Sequence, residues 1–415
     1  MAQTVLGNIS LGYQLLWSPQ RQPAAVQLFV DADVEVPVDA RHLLAALGEL
    51  WPESAPPLLL TLQSRPLLLD LLDHAAPTDP WLRIDESWLE QPELARRVHQ
   101  AQQRGLPLVW HGEPGQRPGP ALGHGFHKHI LNLTAEDALQ GLRAALHRQR
   151  ELEGGAQPAS PVTAGQIYEG VASRALAEHC LDQQGAWALA GWPVEDVLHG
   201  YQQQPIPPDQ ATLARLIEAI DADASLDAIE RLLGDEPVLA WRFLRHVNSP
   251  GLGLRSEVES IHHGVMVLGY AALRNWLQAQ LPQATDDRNL QPIRNALVMR
   301  AHLMERLLDA GEEDTLRREV YLCGLLSQID LLLGEPLAAA LARLPLSERI
   351  TAALLLHNGP YAPYIEIAAA LASPDTRATR VLCDAHQIGL EEVNRALLRT
   401  LGATLTRLPG PTGTR

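Results

Sequence analysis

The chain is short of cysteine, of long apolar runs and of basic residues, and each shortage excludes something. Cys180, Cys323 and Cys383 are the three cysteines in 415 residues. Odd in number and far apart, they make neither a disulfide framework nor a zinc finger, and they suit free, buried thiols in a reducing compartment. No stretch approaches the ~20 apolar residues that a membrane-spanning helix needs. The opening MAQTVLGNIS has no basic residue followed by an apolar run, so no signal peptide is expected and the protein is read as cytoplasmic, without a membrane partner. Lys and Arg total 33 against 49 Asp and Glu, a formal net charge of −16. That balance argues against a nucleic-acid partner, whose phosphates require clustered cations. Phosphate loops are missing too: Gly112-Glu113-Pro114-Gly115 has neither the lysine nor the spacing of a Walker loop.

What is present is enough for two folded domains. A hydrophobic content of 46% with 20% charged residues fits a packed soluble protein, and the length allows each half its own core. In the first half, short apolar runs alternate with polar helical stretches: Val26 to Val30, Leu58 to Leu62, Trp81 to Ile84, Leu106 to Trp110 and Ile130 to Leu133. Patterns such as Leu43-Leu44-Ala45-Ala46-Leu47 and Leu67 to Leu72 lie between them. Strands alternating with helices predict parallel βα units and an α/β barrel or layered sheet. Residues 151–165, rich in Gly, Ala, Pro and Ser, read as a flexible loop. Pro205-Ile206-Pro207-Pro208 breaks regular structure and marks a domain edge. The expected division is an α/β domain over 1–204 and an all-helical domain over 205–408.

The stretch from Ala211 to Leu277 is the most informative. Leu213, Leu216, Ile217 and Ile220 form one helical stripe. Leu226, Ile229, Leu232 and Leu233 form a second, capped by Ser225 and ended by Gly234. Ala240, Phe243, Leu244 and Val247 form a third, opened by Asp235 and closed by Asn248-Ser249-Pro250-Gly251. Asn248 and Gly269 are expected to end helices with left-handed backbone. Helices this short are unstable alone, so the three bury their stripes against one another.

These residues also carry a resemblance. Asp235-Glu236-Pro237-Val238-Leu239, Leu244-Arg245-His246-Val247-Asn248-Ser249 and Val267-Leu268-Gly269 resemble the core of an HDOD domain. That family is an all-helical, non-hydrolytic relative of the HD phosphohydrolases, found in bacterial signalling proteins. Gly324-Leu325-Leu326-Ser327, Asp330 and Leu344-Pro345-Leu346-Ser347 continue the resemblance, which covers roughly residues 205 to 405. The first half resembles the EAL domain, a TIM-barrel-like phosphodiesterase of cyclic di-GMP. Gly12-Tyr13-Gln14-Leu15-Leu16-Trp17 matches its opening block, and Gln184-Gly185 with Trp192-Pro193 its closing one. Together the halves are similar to the EAL–HDOD tandem: a degenerate TIM-barrel-like domain followed by a helical one.

The chemistry that the resemblance implies is depleted. EAL catalysis uses carboxylates and an Asn around two divalent metals that activate water. Carried across, the opening glutamate is Gln14, the Asn falls near Thr61, the next glutamate near Arg83 and the paired aspartates near His111 and Gly112. Lys128 and Glu169 match late family positions, and Ile130 stands where an aspartate is expected. Asp85 or Glu113 enters only if the middle of the alignment shifts by a residue. In the second half Gly324-Leu325-Leu326 is followed by Ser327-Gln328, where HD hydrolases place a His-Asp pair. No His-Asp dipeptide occurs anywhere in the chain.

Other groups are read structurally. His124, His127 and His129 sit in a loop pattern whose spacings, taken together, suit neither one helix face nor one strand face. His262-His263 is read as one packed and one solvated residue, and Ser327 as a small residue in a packed helix. Trp17, Trp81, Trp110, Trp187 and Trp276 belong to cores. Arg242, Arg245 and His246 lie off the third stripe and are expected to be exposed. Arg is enriched at interface hot spots, so Arg242 and Arg245 are the candidate partner surface, with an ion pair from Arg245 to Asp235 or Glu236 as the alternative. The expectation is a non-catalytic bacterial signal-transduction protein working through regulatory protein–protein contacts of its HDOD domain. Its partners are other signalling proteins, and no cofactor, metal or catalytic residue is assigned. The alternative is a protein that binds cyclic di-GMP or keeps residual phosphodiesterase activity.

Overall fold

The computed structural model of the chain describes residues 4–32, 37–119, 122–123, 125–149, 159–202, 204–253, 257–308 and 313–407. It forms two compact units, Met1–Asp196 with Ala369–Arg415, and Val197–Ala368.

The first unit is a closed barrel of eight strands in sequence order. They are β1 (Ile9–Trp17), β2 (Pro23–Ala32), β3 (Leu58–Leu62), β4 (Trp81–Asp85), β5 (Leu108–Gly112), β6 (Lys128–Asn132), β7 (Ile167–Glu169) and β8 (Ala188–Ala190). β1 runs antiparallel to both neighbours, β2 and β8, and every other pair is parallel. The five apolar runs read from the sequence fall on β2 to β6. Their character follows from position: β3, LLLTL, is covered on both faces and has no polar alternation. A layer of Leu16, Ala25, Leu59, Val109, Ile130, Ile167 and Ala188 fills the interior, with Trp81 of β4 packed against it.

The reversed strand explains a departure from the expected 1–204 and 205–408 division. β1 and β2 form a hairpin, so no crossover helix follows β1 to cover its outer side, yet eight of its nine residues are buried. The helices Thr376–His386 and Leu390–Arg407 supply the cover. Asn394, fully buried, donates from Nδ2 to the carbonyls of Leu6 and Ile9, both at 2.8 Å. Arg380 Nε donates to Ser10 Oγ at 3.1 Å. A side chain at Gly12 would collide with the Ser373 carbonyl. The last two helices therefore group with the barrel and not with the helical domain.

The second unit is helical. Ser225 caps Leu226–Gly234 by accepting the Ala228 N–H at 3.3 Å. The third expected helix starts at Pro237, capped by Glu236 where Asp235 was expected, and runs to Val247. Gly269 has φ +75 and ends Ile261–Leu268 as expected. Asn248 does not adopt left-handed backbone (φ −91). Its side chain instead donates to Leu244 O at 2.8 Å and Val258 O at 2.9 Å and accepts the Val258 N–H at 2.8 Å. Pro205 to Pro208, read as a domain edge, is tied into the helical unit. Ile206 is buried and donates its N–H to Leu332 O at 2.7 Å, and the Pro207 carbonyl accepts from Arg294 at 2.8 Å. Arg294 and Glu236, each 1% exposed, meet at 3.0 Å and form the one fully buried ion pair among the described residues. Residues 159–165 of the expected loop lack helix and strand; 151–158 lie outside the described residues.

Candidate functional site

In the barrel, polar chemistry gathers where the parallel strands end. Arg83 and Asp85 close β4, His111 is next to last in β5, and Glu169 is the last residue of β7. Strand register brings them together: Asp85 pairs with His111, and β7 follows β6 around the barrel. His111 lies between the two acids, Nδ1 at 2.7 Å from Asp85 Oδ1 and Nε2 at 2.5 Å from Glu169 Oε1. Arg83 Nε reaches Asp85 Oδ1 at 2.9 Å, and its Nη1 lies 3.6 Å from Glu169 Oε2. All four side chains are 13–30% exposed.

The electrostatics follow. Burial alone would lower the His111 pKa, but hydrogen bonds to Asp85 and Glu169 outweigh it and hold the imidazole above its ordinary value. Burial would raise both acids; the His111 hydrogen bonds and the charge of Arg83 overcome it and hold them below the usual carboxylate range. The result is a closed set of two carboxylates, one guanidinium and an imidazole held toward its protonated form.

The strands on the other side carry neutral groups. Gln14 is the register partner of Gln27 on β2, and Gln27, fully buried, donates to Thr61 Oγ1 at 2.9 Å. Gln14, Thr61, Arg83, His111 and Glu169 thus all sit on barrel strands, as the carried-over pattern implied, and Asp85 joins them. Lys128 does not. It is the first residue of β6, and its ammonium lies 4.5 Å from the centre of the Trp187 ring, just before β8, at the opposite strand ends. Glu113 lies past β5, bonded to Gln116 at 3.2 Å. His127 and His129 part company, against Trp81 and Trp110 respectively, while His124 is outside the described residues. The sequence reading missed the pairing itself: only the closed barrel shows that Arg83 and His111 meet the acids.

Residues 206–350 match the HDOD domain. The chain is also similar to two curated proteins. "Cyclic di-GMP phosphodiesterase CdgJ" of Vibrio cholerae is 20% identical over 198 residues, 48% of this chain and 46% of the relative. "Uncharacterized protein YuxH" of Bacillus subtilis is 25% identical over 197 residues, 46% of this chain and 44% of the relative. The matches thus span less than half the length of either protein. Among solved structures, part of the chain aligns with the MmoQ response regulator of Methylococcus capsulatus, at TM-score 0.27 and 20% identity, covering 48% of this chain and 72% of that one. A manganese and cyclic di-GMP complex of Klebsiella pneumoniae BlrP1 aligns at TM-score 0.30 and 15% identity, covering 46% and 55%.

Within the HDOD segment, Ser327 ends Asp314–Leu326 and donates its hydroxyl to the Gly324 carbonyl at 2.7 Å, so it has no nucleophilic partner among the described residues. His262 and His263 are both half-buried, where one solvated residue was expected. His262 bonds Glu230 at 2.8 Å, and with Asp227 these two bring ligand-type atoms close together. Arg318 already holds that spot, 3.1 Å from Glu230 and 3.8 Å from Asp227. Arg245 is exposed as expected, whereas Arg242 and His246 are half-buried. The alternative ion pair of Arg245 is not formed among the described residues, since Glu236 pairs with Arg294 and Asp235 with His302. No described helix is long and apolar enough to cross a membrane.

Proposed function

We propose that this chain is a bacterial signal-transduction protein that acts through protein contacts of its HDOD segment and does not hydrolyse cyclic di-GMP. The observation that carries the reading is the four-residue ion cluster at the strand ends of the barrel. A two-metal phosphodiesterase needs carboxylates open to cations, with the metals clamping the attacking and leaving oxygens. Here Arg83 and His111 lie against both acids, and Gln14, Gln27 and Thr61 bring no charge. The residues present do not fit a pair of divalent ions. The relatives named for cyclic di-GMP motivate the substrate to try. Purified chain with cyclic di-GMP and Mg²⁺ or Mn²⁺ is expected to release no linear product; turnover abolished by a chelator overturns the reading. The partner contact is assigned to the face carrying Arg242 and Arg245. The double variant Arg242→Glu, Arg245→Glu is expected to lose captured partner at an unchanged melting temperature, and retained capture by a stable double variant rejects the assignment.

A further inference from the structure

The helical unit holds a concave groove of about 440 Å³, lined by Trp241, Arg242, Arg245, Trp276, Glu335 and Arg343 among others. We propose that it is a binding site for a small free oxyanion bearing two or more negative charges, a phosphate ester or a polycarboxylate. This stands apart from the partner reading: it concerns the purified chain and a diffusible ligand.

The argument starts from charge. In a chain with net charge −16, three guanidiniums share one groove with a single acid, Glu335, which Arg343 engages at 2.6 Å. Arg245 has no carboxylate and no hydrogen-bond acceptor among the described residues. Arg242 is half-buried, and the acceptor it finds is the neutral Gln280 amide oxygen at 3.3 Å. Removing a guanidinium from water without an anion is costly. Burial, with Arg245 as a like-charged neighbour, pulls the Arg242 pKa below its usual value although Glu236 opposes the shift. The groove has an unmet demand for negative charge.

Geometry then narrows the ligand. The buried Trp241 indole is fixed by its Nε1–H bond to Ala340 O at 3.2 Å. The guanidiniums of Arg245 and Arg343 lie 5.2 and 5.8 Å from its ring centre, so one rigid ring holds both by cation–π attraction. On the neighbouring wall His246 stacks on Trp276 at 5.5 Å and 18° between planes, and burial lowers its pKa, which favours the neutral ring. The aromatic rings are thus already used as supports. What remains open is the donor edge of Arg245 and the donors that Arg242 does not spend on Gln280; such planar forks match carboxylate and phosphate oxygens two at a time. The volume suits a small molecule.

The test is calorimetric titration of the full chain, in metal-free buffer at low salt, with pyrophosphate and separately with citrate. At least one is expected to bind saturably at one site, with affinity falling as salt rises. Arg242→Ala and Arg245→Ala are each expected to weaken it about tenfold or more, the effect of losing one charge-assisted bond. Arg245→Lys, which keeps the charge and removes the fork, is expected to restore only part of the loss, and it remains informative if an alanine variant fails to fold. Saturation by pyrophosphate alone names a phosphate ester, and by citrate alone a polycarboxylate. No saturable binding of either anion up to about 10 mM, a dissociation constant too weak for a built site, overturns the proposal. So does equal binding by the wild type and a folded Arg242→Ala, Arg245→Ala chain.

Discussion

His111 is the residue on which the barrel site turns, and its behaviour with pH can be worked out. Its folded pKa is raised by Asp85 and Glu169 against the opposing effect of burial. Its contribution is therefore complete below the ordinary imidazole range and is lost as pH rises through the folded value. Asp85 and Glu169 are held low, so theirs is lost as pH falls through their depressed values. Barrel stability is expected to peak in mildly acidic solution. A melting series from about pH 5 to pH 8 should show a decline that His111→Gln flattens; an unchanged slope in the variant removes His111 as its cause. In the helical unit, Arg294→Met leaves Glu236 buried and unpaired and is expected to cost about 3–5 kcal/mol. Adding Glu236→Leu should return much of that loss in denaturant melts, and a purely additive double variant would argue against coupling.

Among the elements, the helical stretch was the most legible, because apolar residues at helical spacing with Ser225 and Gly234 at the ends specify a helix locally. Glu236 displaced Asp235 as the cap because Pro237 fits the first helical position, where no N–H is needed. β7 and β8, three residues each, are too short to show a period. The reversal of β1 also left no local mark. An apolar stripe says that a helix is buried and not what buries it, which is why Leu390–Arg407 was assigned to the wrong unit. Of the candidate site, Gln14, Arg83 and His111 were legible as residue types lost from a metal-binding pattern. Their ion pairing with Asp85 and Glu169 depends on neighbouring strands distant in sequence. Asn394→Leu keeps the size of that buried side chain but strands the Leu6 and Ile9 carbonyls. It is expected to destabilise the barrel by about 1–3 kcal/mol, read by chemical denaturation; a loss confined to the helical unit's transition would contradict the packing.

At the scale of the whole molecule, the helical unit interrupts the barrel in sequence. A fragment of residues 197–368 is expected to be soluble, helical and cooperative in melting. Residues 1–204 alone lack the cover for β1 and are expected to aggregate or to bind dyes that report exposed apolar surface; a soluble, cooperatively melting 1–204 fragment would overturn this. The interruption also has a consequence for synthesis. β8 ends at Ala190 and the helix that seals β1 ends at Arg407. At translation speeds of ~5–20 residues per second, roughly 10–40 s separate the last strand from its seal. During that interval the later-made helical unit can finish first, while the earlier-made barrel waits with one side of its first strand bare. The nascent chain is thus expected to complete its units in the reverse of the order in which they begin to emerge.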